Sequence, residues 1–575
     1  MIEADTVTGG EALARECARQ GVRTAFALSG AAHTQLLRHL TAAGVRIVST
    51  RHETSTVCAA DGFARVAGKV GLALIKDEQG LANALTGVIT AQKAGTSVVV
   101  LVSTRPTAWI EAHHEAEDDP LALVRGVAKW VRTCPSAERM AEYLAEAFHQ
   151  ARAGRAGVAV LGVRQEFGRT PVSAEVPICK TVAPVPPAAP AAPAIADAVS
   201  LLTKAERPLI LVGGGAHRSG AGPALQRLAR ALGAPVMGHA QGRGLVPEDD
   251  VLGFGWPLAQ VAAQHADVVL CVGMRLGQRF GHGRAPRFAS DARFIQIDTV
   301  AEEIGRHRTI DVPIVSDARL GIEALCDAIG APTPRPTRWV NDAMAVRLAR
   351  MAELEADGNG PIHPLSLARR LMDRWPPDAI YVGDGADIQN WMLGTLHLPR
   401  AGAFLDHYPF GSMGVGTPLA LGAAAAAREL AEAEGSPVRP VILVTGDGSF
   451  GFYCSELNSA QLAGLRLGVV ISNDGAWGTE KHGHLKVLGE SFNCELGQAD
   501  YHLIAQAFGC GGERVESSAE VPAALDRMLT AQIPYVLNVI TDPIAGAARK
   551  TDPRIVTVAF EDTAKTGGAA TPAVL

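Results

Sequence analysis

The stretch Val441–Trp477, VILVTGDGSFGFYCSELNSAQLAGLRLGVVISNDGAW, leaves few choices of fold. An apolar run, Val441–Thr445, ends in Gly446-Asp447-Gly448-Ser449. A helix-like segment follows from about Tyr453 to Ala463, and a second apolar run ends in Asn473-Asp474-Gly475. Short, wholly apolar runs of this kind read as strands buried on both faces, the mark of a parallel sheet. Parallel neighbours joined through a helix cross over right-handedly, so the carboxyl ends of both strands share one edge. Asp447 and Asp474, far apart in sequence, are thereby predicted to stand side by side. The glycines let the backbone approach an anion, and amides at a helix start can face phosphate oxygens. Two hard oxygen ligands beside a phosphate cradle suit Mg²⁺ or Ca²⁺. The competing reading is that Gly-Asp-Gly is only a turn.

The same alternation of short apolar runs and amphipathic stretches fills the chain. Strands are expected at Thr24–Leu28, Arg46–Ser49, Gly71–Ile75 and Ser97–Ser103, then at Leu209–Val212, Pro235–Met237, Val268–Val272 and Phe294–Ile297. A third set falls at Ile380–Val382, Val441–Thr445, Leu467–Ser472 and Tyr535–Ile540. Pro- and Ala-rich stretches at 181–195 and 331–340 read as linkers. The predicted fold class is α/β, with three consecutive doubly wound parallel-sheet domains over 1–180, 196–332 and 355–548 and a tail over 549–575. With 575 residues, the chain is too long for one ordinary core at ~100–200 residues per domain.

Composition excludes several classes. A net charge of −6, with both signs interspersed, offers no polybasic surface for nucleic acid. No apolar run is long enough to span a membrane, and the N-terminus does not read as a signal peptide. Nine cysteines without a C-x-x-C pair fit a reducing cytoplasm rather than a zinc or disulfide framework.

Arg51-His52-Glu53 follows one of the short strands and precedes a small-residue helix, TSTVCAADGFARVAG. A carboxyl group placed there is expected to be poorly solvated, which raises its pKa. The bland alternative for Glu53 is an ion pair with Arg51 or His52.

Taken together, GDGS, the Asn473-Asp474 pair roughly 27 positions later, and the Arg51-His52-Glu53 segment resemble the thiamine-diphosphate motif of the acetolactate synthase and pyruvate decarboxylase superfamily. The resemblance implies a lyase or carboligase acting on 2-oxo acids, acyloins or related small carbonyl compounds, with a 2-oxo acid or 2-hydroxyacyl-CoA decarboxylase/lyase as the alternative, and with thiamine diphosphate and Mg²⁺ as cofactors. The cofactor supplies a nucleophilic carbon that attacks carbonyls and stores the resulting carbanion. It implies that the metal is held by Asp447, Asp474 and the main-chain carbonyl of Ala476. Asp474 stands where the family has Asn, with Asn473 as the fallback ligand. Glu53 is implied to share a proton with the aminopyrimidine of the cofactor.

Phe404–Gly416 and VGMRLGQRFGHG look like the benzaldehyde lyase branch. That likeness implies roles for Met413 in bending the cofactor and for the Gly411 carbonyl on its amino group. It also implies diphosphate contacts from Gly385, Ala386, Gly448 and Ser449, and a pocket-lining role for His407. Locally, Met413 reads equally well as a core methionine. Two departures stand out. Lys76-Asp77-Glu78-Gln79 replaces a small turn of the family while Gly80 and Asn83 persist, so the charged residues are expected to contact substrate or cap the pocket. His113-His114 stands where the lyase branch has a Gln, which falls on Glu115. The pair resembles the proton-relaying histidines of the pyruvate decarboxylase branch, or is simply a solvated loop.

The family pattern further implies a homodimer or homotetramer whose sites join the first unit of one chain to the last unit of another. Gly213-Gly214-Gly215 after Leu209–Val212 raises the competing idea of an NAD- or FAD-dependent oxidoreductase, although a full G-x-G-x-x-G is missing and FAD is not expected. A catalytically silent paralogue is the other alternative, prompted by Asp474 and the Lys76–Gln79 turn.

Overall fold

The computed structural model describes residues 6–30, 33–112, 119–174, 185–330, 338–353 and 361–545. Eighteen of its strands form three six-stranded sheets, and every pairing within them is parallel. A short antiparallel ribbon joins β1 (Thr6–Thr8) to β8 (Pro171–Ser173).

The first sheet contains β2 (Thr24–Ala27), β3 (Arg46–Ser49), β4 (Gly71–Lys76), β5 (Val98–Thr104), β6 (Trp130–Thr133) and β7 (Val158–Arg164), in the order β3-β2-β4-β5-β7-β6. The second contains β9 (Pro208–Val212), β10 (Val236–Gly238), β11 (Gly253–Gly255), β12 (Val268–Val272), β13 (Arg293–Asp298) and β14 (Val312–Val315), in the order β11-β10-β9-β12-β13-β14. The third contains β15 (Ile380–Gly383), β16 (Phe404–Asp406), β17 (Val441–Gly446), β18 (Gly468–Asn473), β19 (Gly511–Val515) and β20 (Tyr535–Ile540), in the order β16-β15-β17-β18-β20-β19. The first and third units therefore share one topology. The second has the strand order of a dinucleotide-binding fold.

The twelve expected strands are all present, with ends shifted by a residue or so. The helix after Gly446 departs from expectation. It begins at Asp447 rather than near Tyr453, running Asp447–Tyr453 and resuming over Glu456–Leu462. Glycines at 448 and 451 disguise its first turn in the sequence. The stretch expected as the first linker gives way to a helix at Ala192, and the second does so at Arg338. The expected tail over 549–575 lies outside the described residues.

The first and third units meet along two helices, Glu53–Ala67 and Gly416–Glu434. Thr54 through Arg65 are buried on one, and Gly416 through Ala427 on the other. Small residues bring the two backbones into contact. A Cβ on Gly62 would stand 2.1 Å from the Leu419 carbonyl oxygen, and one on Gly422 would stand 1.8 Å from that of Ala59. Buried polar ties pin the seam. Arg65 pairs with Asp61 through Nε–Oδ1 at 2.7 Å and donates to the Asp406 carbonyl at 2.8 Å. Thr24 donates to Glu429 at 2.8 Å, and the Arg51 amide donates to Glu456 at 3.0 Å. Because its obstacle is backbone, Gly422→Ala should force the helices apart. We expect a loss of about 3 kcal/mol, at the top of the usual overpacking range, read as a lowered thermal midpoint.

Candidate active site

The first and third sheets each reverse strand order beside their second-written strand, between β2 and β4 and between β15 and β17. Open parallel sheets bind ligands at such switch points, outside the carboxyl ends of the strands. In the third unit this crevice lies between Asp384-Gly385-Ala386, after β15, and Gly446–Ser449, at the end of β17 and start of its helix. The two turns face one another. Gly385 adopts φ +81°, and a Cβ there would lie 3.1 Å from Ser449 Oγ and 3.2 Å from the Gly446 nitrogen. Only glycine keeps such a space open.

Asp447 and Asp474 come together as expected. Their side chains are close enough to share a hydrogen bond, and both carboxyls are raised, chiefly by burial; the charge of Asp447 raises Asp474 further. Asp447 Oδ2 is buried with no hydrogen-bond partner. Asp474 Oδ1 accepts from the Ala476 amide at 3.3 Å, which sets the turn carrying the Ala476 carbonyl. A buried and a part-buried carboxylate crowded together, one with an unanswered oxygen, fit a divalent cation, whose charge would relieve both. Asn473 is unsuited as the fallback ligand. Its Oδ1 accepts from Gly475 at 3.2 Å, and its amide donates to Ala499 at 3.1 Å and Asn538 at 3.0 Å.

Asp384 escaped the sequence reading, although the GDGAD stretch contains it. Its carboxylate is 1% exposed and accepts three backbone amides, from Gly385 at 2.7 Å, Gly414 at 3.2 Å and Gly416 at 2.8 Å. Burial raises its pKa to about 6 against the pull of these amides. It fastens the Gly411–Met413 loop to the end of β15. Asp384→Ala would orphan three buried N–H groups, each worth ~1–3 kcal/mol. We expect a lower melting temperature and at least tenfold weaker thiamine diphosphate binding in a calorimetric titration.

Gly411 has φ +84° and donates to the His407 carbonyl at 2.9 Å. Met413 is not a core methionine, since it is 37% exposed at the loop tip. His407 is 2% exposed and lies against the Gly383 carbonyl, with Nδ1 3.4 Å away. Burial and then Arg279 lower its pKa to about 4, so the ring is neutral. Within the chain it packs against the Asp384 carboxylate, 3.8 Å from Nδ1, and the Tyr408 ring. Arg279, also missed in the sequence, reaches in from the central unit and sits 3.3 Å over the Tyr408 ring. Gly448 is roofed by Trp477, which a Cβ would approach to 2.5 Å.

On the first unit, Glu53 opens the helix after β3 and is only half-buried in the single chain, less than expected. Its Oε2 accepts from Asn83 Nδ2 at 3.1 Å, and a Cβ on Gly80 would stand 3.4 Å from its Oε1. The ordinary ion pair does not form, because Arg51 turns instead to Asn458 and its amide to Glu456. His113, His114 and Glu115 lie outside the described residues.

In the central unit the glycine trio serves close packing. A Cβ on Gly215 would meet Gly273 Cα at 2.7 Å, and one on Gly213 would meet the Gly273 carbonyl oxygen at 2.8 Å. A separate cavity of about 560 Å³, lined by Glu248, Phe254, Leu258, Arg338, Met344 and His397 among others, includes none of the expected site residues.

Comparison with known proteins agrees with this geometry. Family models for the thiamine pyrophosphate enzyme N-terminal binding domain, central domain and C-terminal binding domain match residues 7–123, 195–325 and 384–539. A probable acetolactate synthase from Mycobacterium bovis is 30% identical over 562 residues, covering 96% of this chain and 98% of its own. The chain belongs to the thiamine pyrophosphate enzyme family. The large subunit of acetolactate synthase isozyme 2 from Escherichia coli is 28% identical, with 91% of this chain and 94% of its own covered. A sulfoacetaldehyde acetyltransferase from Castellaniella defragrans is 26% identical, with 92% and 91% covered. This member of the family is an enzyme that uses thiamine diphosphate to form or cleave carbon–carbon bonds. Its fold is three consecutive α/β units.

Proposed function

We propose that the chain is an acetolactate-synthase-like carboligase, joining a carbonyl unit taken from a 2-oxo acid to a second small carbonyl compound. The observation that carries this is the facing of the Asp447/Asp474 pair and the Gly385-Ala386 turn across one crevice, in a chain whose relatives include acetolactate synthases along almost its whole length. Asp447, Asp474 and the Ala476 carbonyl would hold Mg²⁺, with Gly385, Ala386, Gly448 and Ser449 around the diphosphate. Glu53, braced by Asn83 and given room by Gly80, would hold the proton at the aminopyrimidine. Gly411 and Met413 would shape the cofactor, and His407 would back that loop. His113 and His114 would relay protons on the substrate side.

The working assembly would be a homodimer or homotetramer. Phe410, Met413, Phe452, Phe492 and Leu496 are exposed in the metal-bearing unit, and exposed apolar groups of this kind mark interfaces. Glu53 is half-exposed on the first unit, so a second chain is the natural source of the facing half. The unit boundaries proposed are 1–180, 196–332 and 355–548. A cytoplasmic setting fits the eight described cysteines, all unpaired. No described helix is long and apolar enough to cross a membrane.

The decisive experiment is a panel of pyruvate, benzoylformate, benzaldehyde, benzoin and oxalyl-CoA, supplied with thiamine diphosphate and Mg²⁺ and scored for CO₂ release and acyloin formation. Acyloin or acetohydroxy-acid product from pyruvate is expected. Cleavage of benzoin with no reaction of pyruvate would move the assignment to the lyase branch. Silence on every compound would overturn it.

A further inference from the structure

The crevice of the first unit, between β2 and β4, is built from different chemistry than its counterpart in the third. Asp77 begins the helix after β4 as Asp447 begins the helix after β17, so the two acids are topological equivalents. Asp447 faces another carboxylate, whereas Asp77 faces two cations. Lys76 Nζ stands 3.2 Å from Asp77 Oδ2, and Arg105 Nη2, just past the end of the neighbouring β5, stands 3.4 Å from the same oxygen. Asp77 is 2% exposed, and neither of its oxygens has a hydrogen-bond partner; Arg105 Nε is buried and without one as well. The contacts are therefore charge contacts of imperfect hydrogen-bond geometry, unlike the well-formed Asp61–Arg65 pair.

Asp77 also adopts φ +54°, a left-handed conformation that non-glycine residues rarely take. Such outliers persist where surroundings over-determine them, and they cluster at ligand sites. The Lys76 stem lies across the mouth of the crevice, where a Cβ on Gly30, after β2, would meet Lys76 Cδ at 2.5 Å. About one to two helical turns further on, ~5–9 Å along the axis, Gly80 and Asn83 lie against Glu53.

Resting on the carbonyl-joining reading above, we propose that Lys76 and Arg105, clamped on Asp77, form an anion-binding subsite. This subsite selects carbonyl substrates that carry a carboxylate or similar oxyanion away from the reacting carbonyl. One buried carboxylate holding two cations leaves donors on both for a second anion, and charge-assisted bonds to carboxylates are strong and directional. Glu78 follows on the same helix turn, so recognition depends on where Lys76 and Arg105 sit rather than on net charge. Lys76 and Arg105 are specificity residues in this account and take no part in the bond-making step.

The test uses the full-length holoenzyme with thiamine diphosphate and Mg²⁺. Two substrates of equal carbon count, 2-oxopentanedioate and 2-oxopentanoate, differ at the remote end only by a carboxylate. The ratio of their kcat/KM values should favour the dianion at least tenfold in the wild type. It should fall at least tenfold in Lys76→Met, and further in Lys76→Glu. The Lys76 side chain is 39% exposed, so both variants should fold. Arg105→Lys keeps the charge but loses the fork, and should give an intermediate ratio. Independently, glutarate should bind the wild-type holoenzyme in a calorimetric titration and fail to bind Lys76→Glu. Absence of glutarate binding to the wild type, or a ratio unmoved by both Lys76 variants, would overturn the subsite. Glutarate binding that Lys76→Glu abolishes, in a protein that turns over no carbonyl compound, would support the subsite and count against the proposed reaction.

Discussion

Asp447→Ala is expected to remove thiamine diphosphate binding almost completely. The carboxylate is buried, opposes Asp474 and keeps one oxygen without a hydrogen-bond partner even though backbone amides meet the carboxyl, and that free oxygen is suited to a cation. Changes to the outer shell of a metal site usually cost 10–100-fold in affinity, and loss of a direct ligand should exceed ~100-fold. The size of the stability change makes the test sharp. Without metal, the buried Asp447 and part-buried Asp474 carboxylates repel and one is driven toward its protonated form. Removing one relieves that repulsion and offsets the loss of the amide bonds to Asp447, so the metal-free protein should lose far less stability than cofactor affinity. The measurement pairs a cofactor titration at saturating Mg²⁺ with thermal unfolding of the metal-free protein. Dialysis against EDTA should reproduce the binding loss in the wild type and be reversed by Mg²⁺. Full cofactor affinity in the Asp447→Ala protein, or in EDTA, would remove the metal bridge from the account.

Glu53→Gln should leave binding largely intact and slow turnover by ~10²–10⁴-fold, the range of general acid–base contributions. The amide keeps the shape and can still meet Asn83, whose Nδ2 lies 3.1 Å from Glu53 Oε2. It cannot hold or return a proton as a carboxylate does. The diphosphate and metal contacts belong to the third unit, so thiamine diphosphate affinity should change only modestly. Hydrogen–deuterium exchange at C2 of bound cofactor, followed by quenched-flow NMR, isolates the step from substrate chemistry. Exchange as fast in Glu53→Gln as in wild type would sink the assignment. Wild-type exchange no faster than that of free cofactor would indicate a silent site.

Much of the fold was legible because strands buried on both faces cannot hide. Val268–Val272 and Tyr535–Ile540 have the ends that their apolar runs suggest. Edge strands gave less away. Gly511–Val515 mixes two glycines with a Glu-Arg pair, and Val312–Val315 buries only alternate residues, so neither makes a continuous apolar run. Trp130–Thr133 ends in exposed residues, and Phe404–Asp406 is three residues long. Val158–Arg164 carries the full signal, and nothing physical conceals it. At the site, the pairing of Asp447 with Asp474 followed from crossover geometry alone. Asp384 did not, because its task is to collect amides from a loop some thirty residues away, and no local pattern announces such a partner. The half-exposure of Glu53 was also out of reach, since a single chain shows only what its own residues cover.

The seam between Glu53–Ala67 and Gly416–Glu434 bears on how this molecule can move. Where backbones touch through glycine and alanine, no side chain is available to change rotamer and let the surfaces slide. Sliding shear between packed helices normally depends on such small adjustments. The first and third units should therefore travel as one block through any catalytic cycle. Substrate entry and product release must then be managed by small pieces at the block's edge. The Gly411–Met413 loop is one such piece, and it is moored by a single aspartate whose bonds to the Gly414 and Gly416 amides would have to break together for it to swing.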